Sequence, residues 1–539
     1  MRIADGIVRL LEKNEVKYIF GIPASTFAAI HDSLNDSKIE YIITKNEAGA
    51  TYSASKYADT SNKLGVCLLA GGVGVNNGIN GIADANRNKV PMLIISGDVR
   101  QAYSGKGAIQ EFDNVSIGKV LCKHSYKITK EEEVFVELQK AIDIAMTPPC
   151  GPVMVVIPTD IPLGQFDGNI DIKSTIPAAE YDDEALDKAI AEINKAKKGL
   201  ILVGRGAKGI SKEVKELSEK LQWGIISTPN GKGVVNTDFP YYIGNYGFCT
   251  ADGAVEYVEN EQLDCVLVLG SSLGQTATRD YKDVLVRDRK VIRIDWDKRE
   301  FNKVFKEDIS VYYDLKKAVV KIIENVSPKE TGFVKPEMNK PYVKDHTGVS
   351  LRLLFEQFPK VLPKNSTIVC DMGEFFNYAF KYMPIREDVI FQTSINYACM
   401  GTAVAGVMGS YLADKSRTYV TIVGDGAFYM NGMDIITAKE YNMPIIYFII
   451  NNSMMALVKN GTAAVFGRPG AGKLHFLQGS IKPITEAMGI ETVQITEVNQ
   501  IYDIKDLMVN RTSPLVVEVI TDGSEVFIDT DRVNVMKSK

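Results

Sequence analysis

The chain reads as an α/β protein built from three doubly wound parallel-sheet domains. Three observations predict this class. Short apolar runs alternate with helix-period patterns along the whole sequence, which is the signature of strand-helix-strand units. Two polar stretches, IPTDIPLGQFDGNIDIKSTIPAAEYDDEA and SPKETGFVKPEMNKPYVKDHTG, contain proline and lack apolar periodicity, so they divide the alternation into three blocks. A length of 539 residues suits about three domains, each able to bury a core.

The first domain, residues 1–165, carries apolar candidate strands at 17–20 (KYIF), 41–44 (YIIT), 65–69 (GVCLL), 92–95 (MLII) and 153–157 (VMVVI). The central domain, 180–328, has them at 200–203 (LILV), 224–227 (GIIS), 265–269 (CVLVL) and 291–294 (VIRI). The third, 345–539, has them at 367–370 (TIVC), 419–423 (YVTIV), 445–450 (IIYFII) and 515–520 (LVVEVI). No short-period repeat is visible.

Composition narrows the function. The chain is 45% hydrophobic and 24% charged, with a net charge of −5 and no long block of one sign, so polyanion or membrane-surface binding through bulk charge is disfavoured. The expected partner is a small molecule. Seven cysteines form no CxxC pair and no Cys/His cluster, which points to buried free thiols in a reducing compartment rather than zinc or disulfides. MRIADGIVRLLEKNEV mixes charges into an amphipathic helix, unlike a signal peptide, and no apolar run reaches eighteen residues. A cytoplasmic location is expected.

The most specific feature lies in the third domain. The strand TYVTIV runs into Gly424-Asp425-Gly426-Ala427 and a helix, and the next apolar strand, IIYFII, ends in Asn451-Asn452. Asp425 and Asn452, 27 positions apart, thereby sit at the ends of strands of one sheet, where open α/β sheets place ligands. The chemistry fits a divalent metal holding a diphosphate. Asp425 would give a carboxylate oxygen, Asn452 an amide oxygen and Met454 a backbone carbonyl, and hard oxygen ligands plus phosphate suit Mg²⁺. Gly424 and Gly426 let the backbone approach phosphates at a helix N-terminus.

In these residues the sequence resembles the thiamine-diphosphate enzymes, whose signature is GDG followed, after a helix and a strand, by NN. The resemblance spans nearly the whole chain and implies pyrimidine-binding, central and diphosphate-binding domains in that order. In KNEAGA it places on Glu47 the hydrogen bond to N1′ of the aminopyrimidine, which activates the cofactor's C2; Asn46 stands where the family normally has His. In SINYACMGTAVAGVMG it makes Met400 the apolar wedge that bends the cofactor, with the Ala398 carbonyl accepting from the 4′-amino group. In DMGEFFNYA, Gly373 and Glu374 fall in the diphosphate loop, where Glu374 and Phe375 replace the usual amide residue and His.

LLAGGVGVNNGINGIADANRNKVPMLIISGDV and AIQEFDNVSIGKVLCKHSY look like the acetolactate synthase and pyruvate oxidase branch. That match aims Gln110 at the reacting centre, puts Ile109 in place of an aromatic, sets Ala24 and Ser25 of GIPAST near C2, and includes Lys123. The His-His pair of the pyruvate-decarboxylase type is absent; His31, His124, His346 and His475 are isolated. Glu47 argues against glyoxylate carboligase. GSSLGQTATRDY lacks the arginine pattern that serves FAD, and Gly461 stands where biosynthetic synthases have a tryptophan that selects 2-ketobutyrate. Both points argue against a FAD requirement and the standard branched-chain role. GRPGAGKL (467–474) resembles a phosphate loop but has Leu474 where Ser or Thr should bind Mg²⁺. Arg468, Lys473 and His475 there could receive an anionic substrate.

The resemblance implies a Mg²⁺- and thiamine-diphosphate-dependent enzyme. It would decarboxylate a 2-keto acid, pyruvate first, and pass the acyl carbanion to a carbonyl acceptor. A FAD-linked pyruvate oxidase, and a carbon–carbon lyase or decarboxylase without external acceptor, stay open. Because the family builds each site from two subunits, a homodimer is the implied minimum and a tetramer is compatible.

Overall fold

The computed structural model of the chain describes all residues except 169, 171, 344–347, 471, 472, 474–478, 538 and 539. Its strands form three six-stranded sheets in which every pairing is parallel. The first sheet contains β1 (Tyr18–Gly21), β2 (Glu40–Ile43), β3 (Gly65–Leu69), β4 (Met92–Asp98), β5 (His124–Lys127) and β6 (Pro152–Pro158), in the order β2-β1-β3-β4-β6-β5. The second contains β7 (Gly199–Val203), β8 (Gly224–Ser227), β9 (Tyr242–Asn245), β10 (Cys265–Leu269), β11 (Lys290–Asp295) and β12 (Ile309–Tyr312), in the order β12-β11-β10-β7-β8-β9. The third contains β13 (Ser366–Cys370), β14 (Ile390–Thr393), β15 (Thr418–Gly424), β16 (Ile446–Asn451), β17 (Glu491–Ile495) and β18 (Leu515–Ile520), in the order β14-β13-β15-β16-β18-β17.

Each candidate strand falls on an observed one. The five that sequence periodicity missed, β5, β9, β12, β14 and β17, are all edge strands. Edge strands have one neighbour, and exposed polar residues such as His124 on β5 and Gln494 on β17 dilute the apolar signal, while β14 and β9 carry the buried polar residues Gln392 and Asn245.

In each sheet the strand order reverses at one point: between β1 and β3, between β7 and β10, and between β13 and β15. Ligands of doubly wound sheets bind beyond the carboxyl ends of the strands at such reversals. The end of β15, Gly424, is therefore topologically marked as a binding point.

The first and third domains share one apolar core. Its seam is the contact between helix Glu47–Ser61 and helix Thr402–Ala413, which is close because the facing residues are small. A Cβ on Gly409 would stand 1.9 Å from the Ser53 carbonyl oxygen, so a side chain there would force the helices apart. The Ser53 hydroxyl donates to the Ala405 carbonyl at 2.9 Å across the same seam. At the junction of all three domains Arg205 pairs with Asp59 and donates to the Asn88 carbonyl, while Asn396 bridges Asn88 and Asn230.

All seven cysteines are free; Cys122, Cys150 and Cys399 are only half-buried, and the other four are buried. No described helix is long and apolar enough to cross a membrane.

Candidate active site

One cavity of about 990 Å³ lies where the three domains meet, with Asn88, Lys89 and Lys123 of the first domain in its wall beside residues of the central and third domains. Its walls include Gly373, Glu374, Ala398, Met400, Gly424, Asp425, Gly426, Asn452 and Met454, so the candidate diphosphate, metal and wedge residues converge in one chamber. Parallel pairing is the cause. β15 sets Gly424 opposite Ile450 of β16, which brings the Asp425 loop and the Asn451-Asn452 loop side by side. Ala427, one residue further into the helix Asp425–Asn431, packs instead into the apolar core and does not line the cavity.

Asp425 is 5% exposed. Its carboxylate accepts from the amides of Gly426 at 2.7 Å and Asn452 at 3.2 Å, and no Lys or Arg pairs with it among the described residues. Burial outweighs these hydrogen bonds and pushes the carboxyl up to about 6. A buried carboxylate without a cation, facing a cavity beside the Asn452 amide, is the donor set a divalent ion would complete. No group of three or more His, Cys, Asp or Glu side chains able to hold a metal exists among the described residues. A metal at Asp425 would therefore draw on amide, carbonyl and phosphate oxygens, the set expected of Mg²⁺ rather than zinc.

Glu374 opens the helix Glu374–Tyr382 and is 5% exposed. A charged carboxylate beside a diphosphate would be repulsive, but burial pushes this carboxyl up to about 7 and Asn460 donates to Oε1. Phe375 turns its ring under the glycines: a Cβ on Gly373 would meet Cε1 at 2.4 Å, and one on Gly424 at 3.1 Å.

The loop holding Ala398 and Met400 is anchored by Asp371, which sequence reasoning missed. Its carboxylate accepts from the amides of Met372 at 2.7 Å, Gly401 at 3.0 Å and Ala403 at 2.8 Å, capping the helix Thr402–Ala413. Ala398 is held in the left-handed region, φ 62°, which is strained for a residue with a Cβ. Asp371→Ala leaves buried amides unpaired and should lower unfolding stability by about 1–3 kcal/mol. A wild-type urea midpoint in that variant would show that Asp371 does not anchor the loop.

Glu47 stands apart from this cavity within one chain. It opens its helix and is 9% exposed, with Asn77 donating to Oε2 at 3.0 Å. Asn77 was also missed, although it lies in the Gly-rich VGVNNG at a helix start. Asn46 proves to be the helix N-cap, its side chain accepting from the Ala48 amide at 2.8 Å.

Ala24, Ser25, Ile109, Gln110 and Gly461 likewise do not line the cavity of a single chain. Gln110 sits in a left-handed turn, φ 66°, and the neighbouring Ile109 is 91% exposed. Gly461 faces open space, with nothing within 4 Å of a Cβ built there.

Lys123 lines the cavity and donates to the carbonyls of Ile144 and Thr147 at the end of helix Val134–Met146. Other candidates are structural. His31 packs between Phe27 and Tyr41, and burial lowers its pKa. His124 is exposed on edge strand β5 beside Tyr126. Gly467 ends the helix Ala456–Phe466 in the left-handed region, so no strand feeds the GRPGAGKL glycines and the phosphate-loop likeness is not structural. Arg468 and Lys473 follow it; Gly472, Leu474, His475 and His346 lie outside the described residues.

Comparison with known families completes the assignment. Three models of one family match in chain order: thiamine pyrophosphate enzyme, N-terminal TPP binding domain, over 1–117; central domain, over 186–322; and C-terminal TPP binding domain, over 371–519. The chain belongs to the thiamine pyrophosphate enzymes. Among its relatives in this family it is similar to acetolactate synthase isozyme 2 large subunit of Escherichia coli, 27% identical over 539 residues, covering 97% of this chain and 96% of the relative. It is also similar to a probable acetolactate synthase large subunit of Methanocaldococcus jannaschii, 26% identical over 97% of this chain and 93% of the relative. The acetolactate synthase large subunit of Lactococcus lactis is 25% identical over 96% and 92%. The thiamine pyrophosphate enzyme fold thus accounts for the three sheets and for the cavity at the GDG turn.

Proposed function

We propose that the protein is a Mg²⁺- and thiamine-diphosphate-dependent carboligase that decarboxylates a 2-keto acid, pyruvate first, and joins the acyl unit to a carbonyl acceptor. The carrying observation is a large chamber lined by Asp425, Asn452, Ala398 and Met400 into which no histidine projects among the described residues. No histidine there serves prompt protonation to free aldehyde, and the raised Glu374 carboxyl of the chamber is engaged by Asn460. An acceptor has room to enter. The names of the relatives, acetolactate synthase large subunits, support the same reaction class.

In this reading Asp425, Asn452 and the Met454 carbonyl would hold Mg²⁺, and Gly424 and Gly426 would give the diphosphate backbone clearance. Met400 and the Ala398 carbonyl orient the aminopyrimidine. Thiamine diphosphate supplies, when bound, a nucleophilic carbon and an electron sink for the loss of CO₂. Glu47, oriented by Asn77, shares a proton with N1′. Ala24, Ser25, Ile109 and Gln110 bound the substrate, and Gly461 leaves space for an acceptor.

Because Glu47 and the metal residues are separate in one chain, the reading requires a second copy, a homodimer at least. Exposed apolar residues on both halves, Ile109 and Phe112 on the first domain and Val458 and Phe466 on the third, suit burial against that copy.

A flavin-linked oxidase is the second reading, favoured by one observation: the strand-order reversal of the central domain, at Gly270 and Ser271, opens onto the same cavity. Against it, the arginine of GSSLGQTATRDY, Arg279, is taken up by Asp531 and Glu259.

Product analysis separates these readings. Purified enzyme given pyruvate, alone and with aldehydes or keto acids, should yield mainly acetolactate-type or hydroxyketone products without bound flavin. Acceptor preference should be loose, since losing one aromatic changes discrimination by about 1–3 kcal/mol. Free acetaldehyde or acetate as nearly all the product, with good acceptors present, would defeat the carboligase reading. Stoichiometric FAD with oxygen consumption would establish the oxidase.

A further inference from the structure

The turn that presents Glu47 is held by a short helix of the third domain, Asp434–Glu440, and by the residue after it, Tyr441. The Lys45 amide donates to Asp434 Oδ1 at 2.7 Å. Thr437 donates to the Ile43 carbonyl at 3.1 Å, and the Tyr441 hydroxyl accepts from the Ile43 amide and donates to the Tyr41 carbonyl, both at 3.0 Å. The approach is close enough that a Cβ on Gly49 would fall 2.2 Å from Asp434 Oδ2. The end of β2, the turn and the first helical turn after Glu47 are all gripped from one side.

Asp434 is the centre of this grip. It is 1% exposed, and among the described residues no Lys or Arg side chain pairs with it; Lys45 Nζ goes to Glu440 instead. A buried carboxylate without a cation is destabilising, so packing alone would be better served by an apolar or amide residue. What the carboxylate can do is accept from the backbone of the turn that carries Glu47. Asn431 lies three residues before it in the chain. Asn431 in turn fills the space against Gly401, where a Cβ would meet its Oδ1 at 2.3 Å, and Gly401 follows the wedge residue Met400. Asp434 thus reaches the turn bearing Glu47, while Asn431 reaches the segment bearing Met400.

We propose that Asp434 is a positioning residue that fixes the Glu47 carboxylate for its work on the cofactor, acting through the Lys45 amide. This rests on the reading of Glu47 given above. Asp434 does not line the cavity. Displacing a reacting group by about 1 Å can cost 10²-fold, so loss of the grip should slow the step that Glu47 serves while sparing affinity set by Asp425 and Asn452.

The test measures C2 hydrogen exchange of bound thiamine diphosphate, cofactor affinity by calorimetry and thermal unfolding, all on the Mg²⁺-loaded full chain. Asp434→Ala should slow exchange by about 10²-fold with affinity within about threefold of wild type. Asp434→Asn, whose amide oxygen can still accept from Lys45, should recover most of the rate, a rescue that mere helix stability would not produce. If Asp434→Ala fails to fold, Tyr441→Phe carries the test: it removes the hydroxyl's bonds to β2 and should slow exchange by about threefold or more. Wild-type exchange in the variants, or affinity falling in parallel with rate, overturns the proposal. Glu47→Gln is assayed alongside. Wild-type exchange in that variant removes the role of Glu47 and this inference with it, whereas slow exchange there with wild-type exchange in Asp434→Ala overturns this inference alone.

Discussion

Asp425→Ala protein is expected to purify folded and to lose thiamine diphosphate. Partners that merely orient a metal ligand are worth about 10–100-fold in affinity, so removing the carboxylate that lies beside Asn452 should cost at least about 10²-fold. The apo variant should unfold somewhat earlier than apo wild type, by about 1–3 kcal/mol, because the Gly426 and Asn452 amides lose their acceptor. In the wild type that carboxylate is buried without a cationic side chain, and burial holds its pKa near about 6. Calorimetric titration with Mg²⁺ and thiamine diphosphate checks the first point, and a melting curve the second. Cofactor affinity equal to wild type would remove Asp425 from the metal site.

Glu47→Gln should have the second large effect, at a different step. The amide keeps the size of the side chain and can still accept from Asn77, so the fold and most cofactor affinity should survive. It cannot share a proton with N1′ as a carboxyl group can. Exchange of the C2 hydrogen should slow by about 10²–10⁴-fold, the range of a lost general acid–base group. Exchange by rapid quench and proton NMR reads this directly, and an unchanged rate would relieve Glu47 of the role.

What was legible in the sequence is what is local. The GDG turn, its strand and its helix lie within a few residues, and the NN end belongs to the neighbouring strand, so residue type and context marked residues that come together in one cavity. The thirteen strands found lie mostly inside sheets, where both faces are covered and the apolar run is continuous; β3, β7, β10 and β13 are buried along their whole length. β5 reads HSYK and β17 reads ETVQI, edges whose mixed polarity resembles a loop.

The unread parts of the site depend on long-range contacts. Asp371 works through amides 30 and 32 positions away, and Asp434 through one 389 positions away. No spacing rule reaches across domains. Asn77 was overlooked for a related reason: an Asn early in a Gly-rich helix looks like capping until the Glu47 carboxylate arrives from another helix, 30 positions earlier. Ala24, Ser25, Ile109, Gln110 and Gly461 lie outside the single-chain cavity, on surfaces that one chain leaves open.

The central claim is that one catalytic centre joins Glu47 of one copy to Asp425 of another, and mixing two dead variants tests it. Glu47→Gln and Asp425→Ala chains, dissociated and reassembled together, form mixed dimers in which one site is damaged twice and the other is intact. About a quarter of wild-type activity should be recovered, since random assembly makes half the dimers mixed and one site in each is whole. If reassembly succeeds and the mixture stays as inactive as its parents, both residues belong to a site within a single chain, and the account is contradicted.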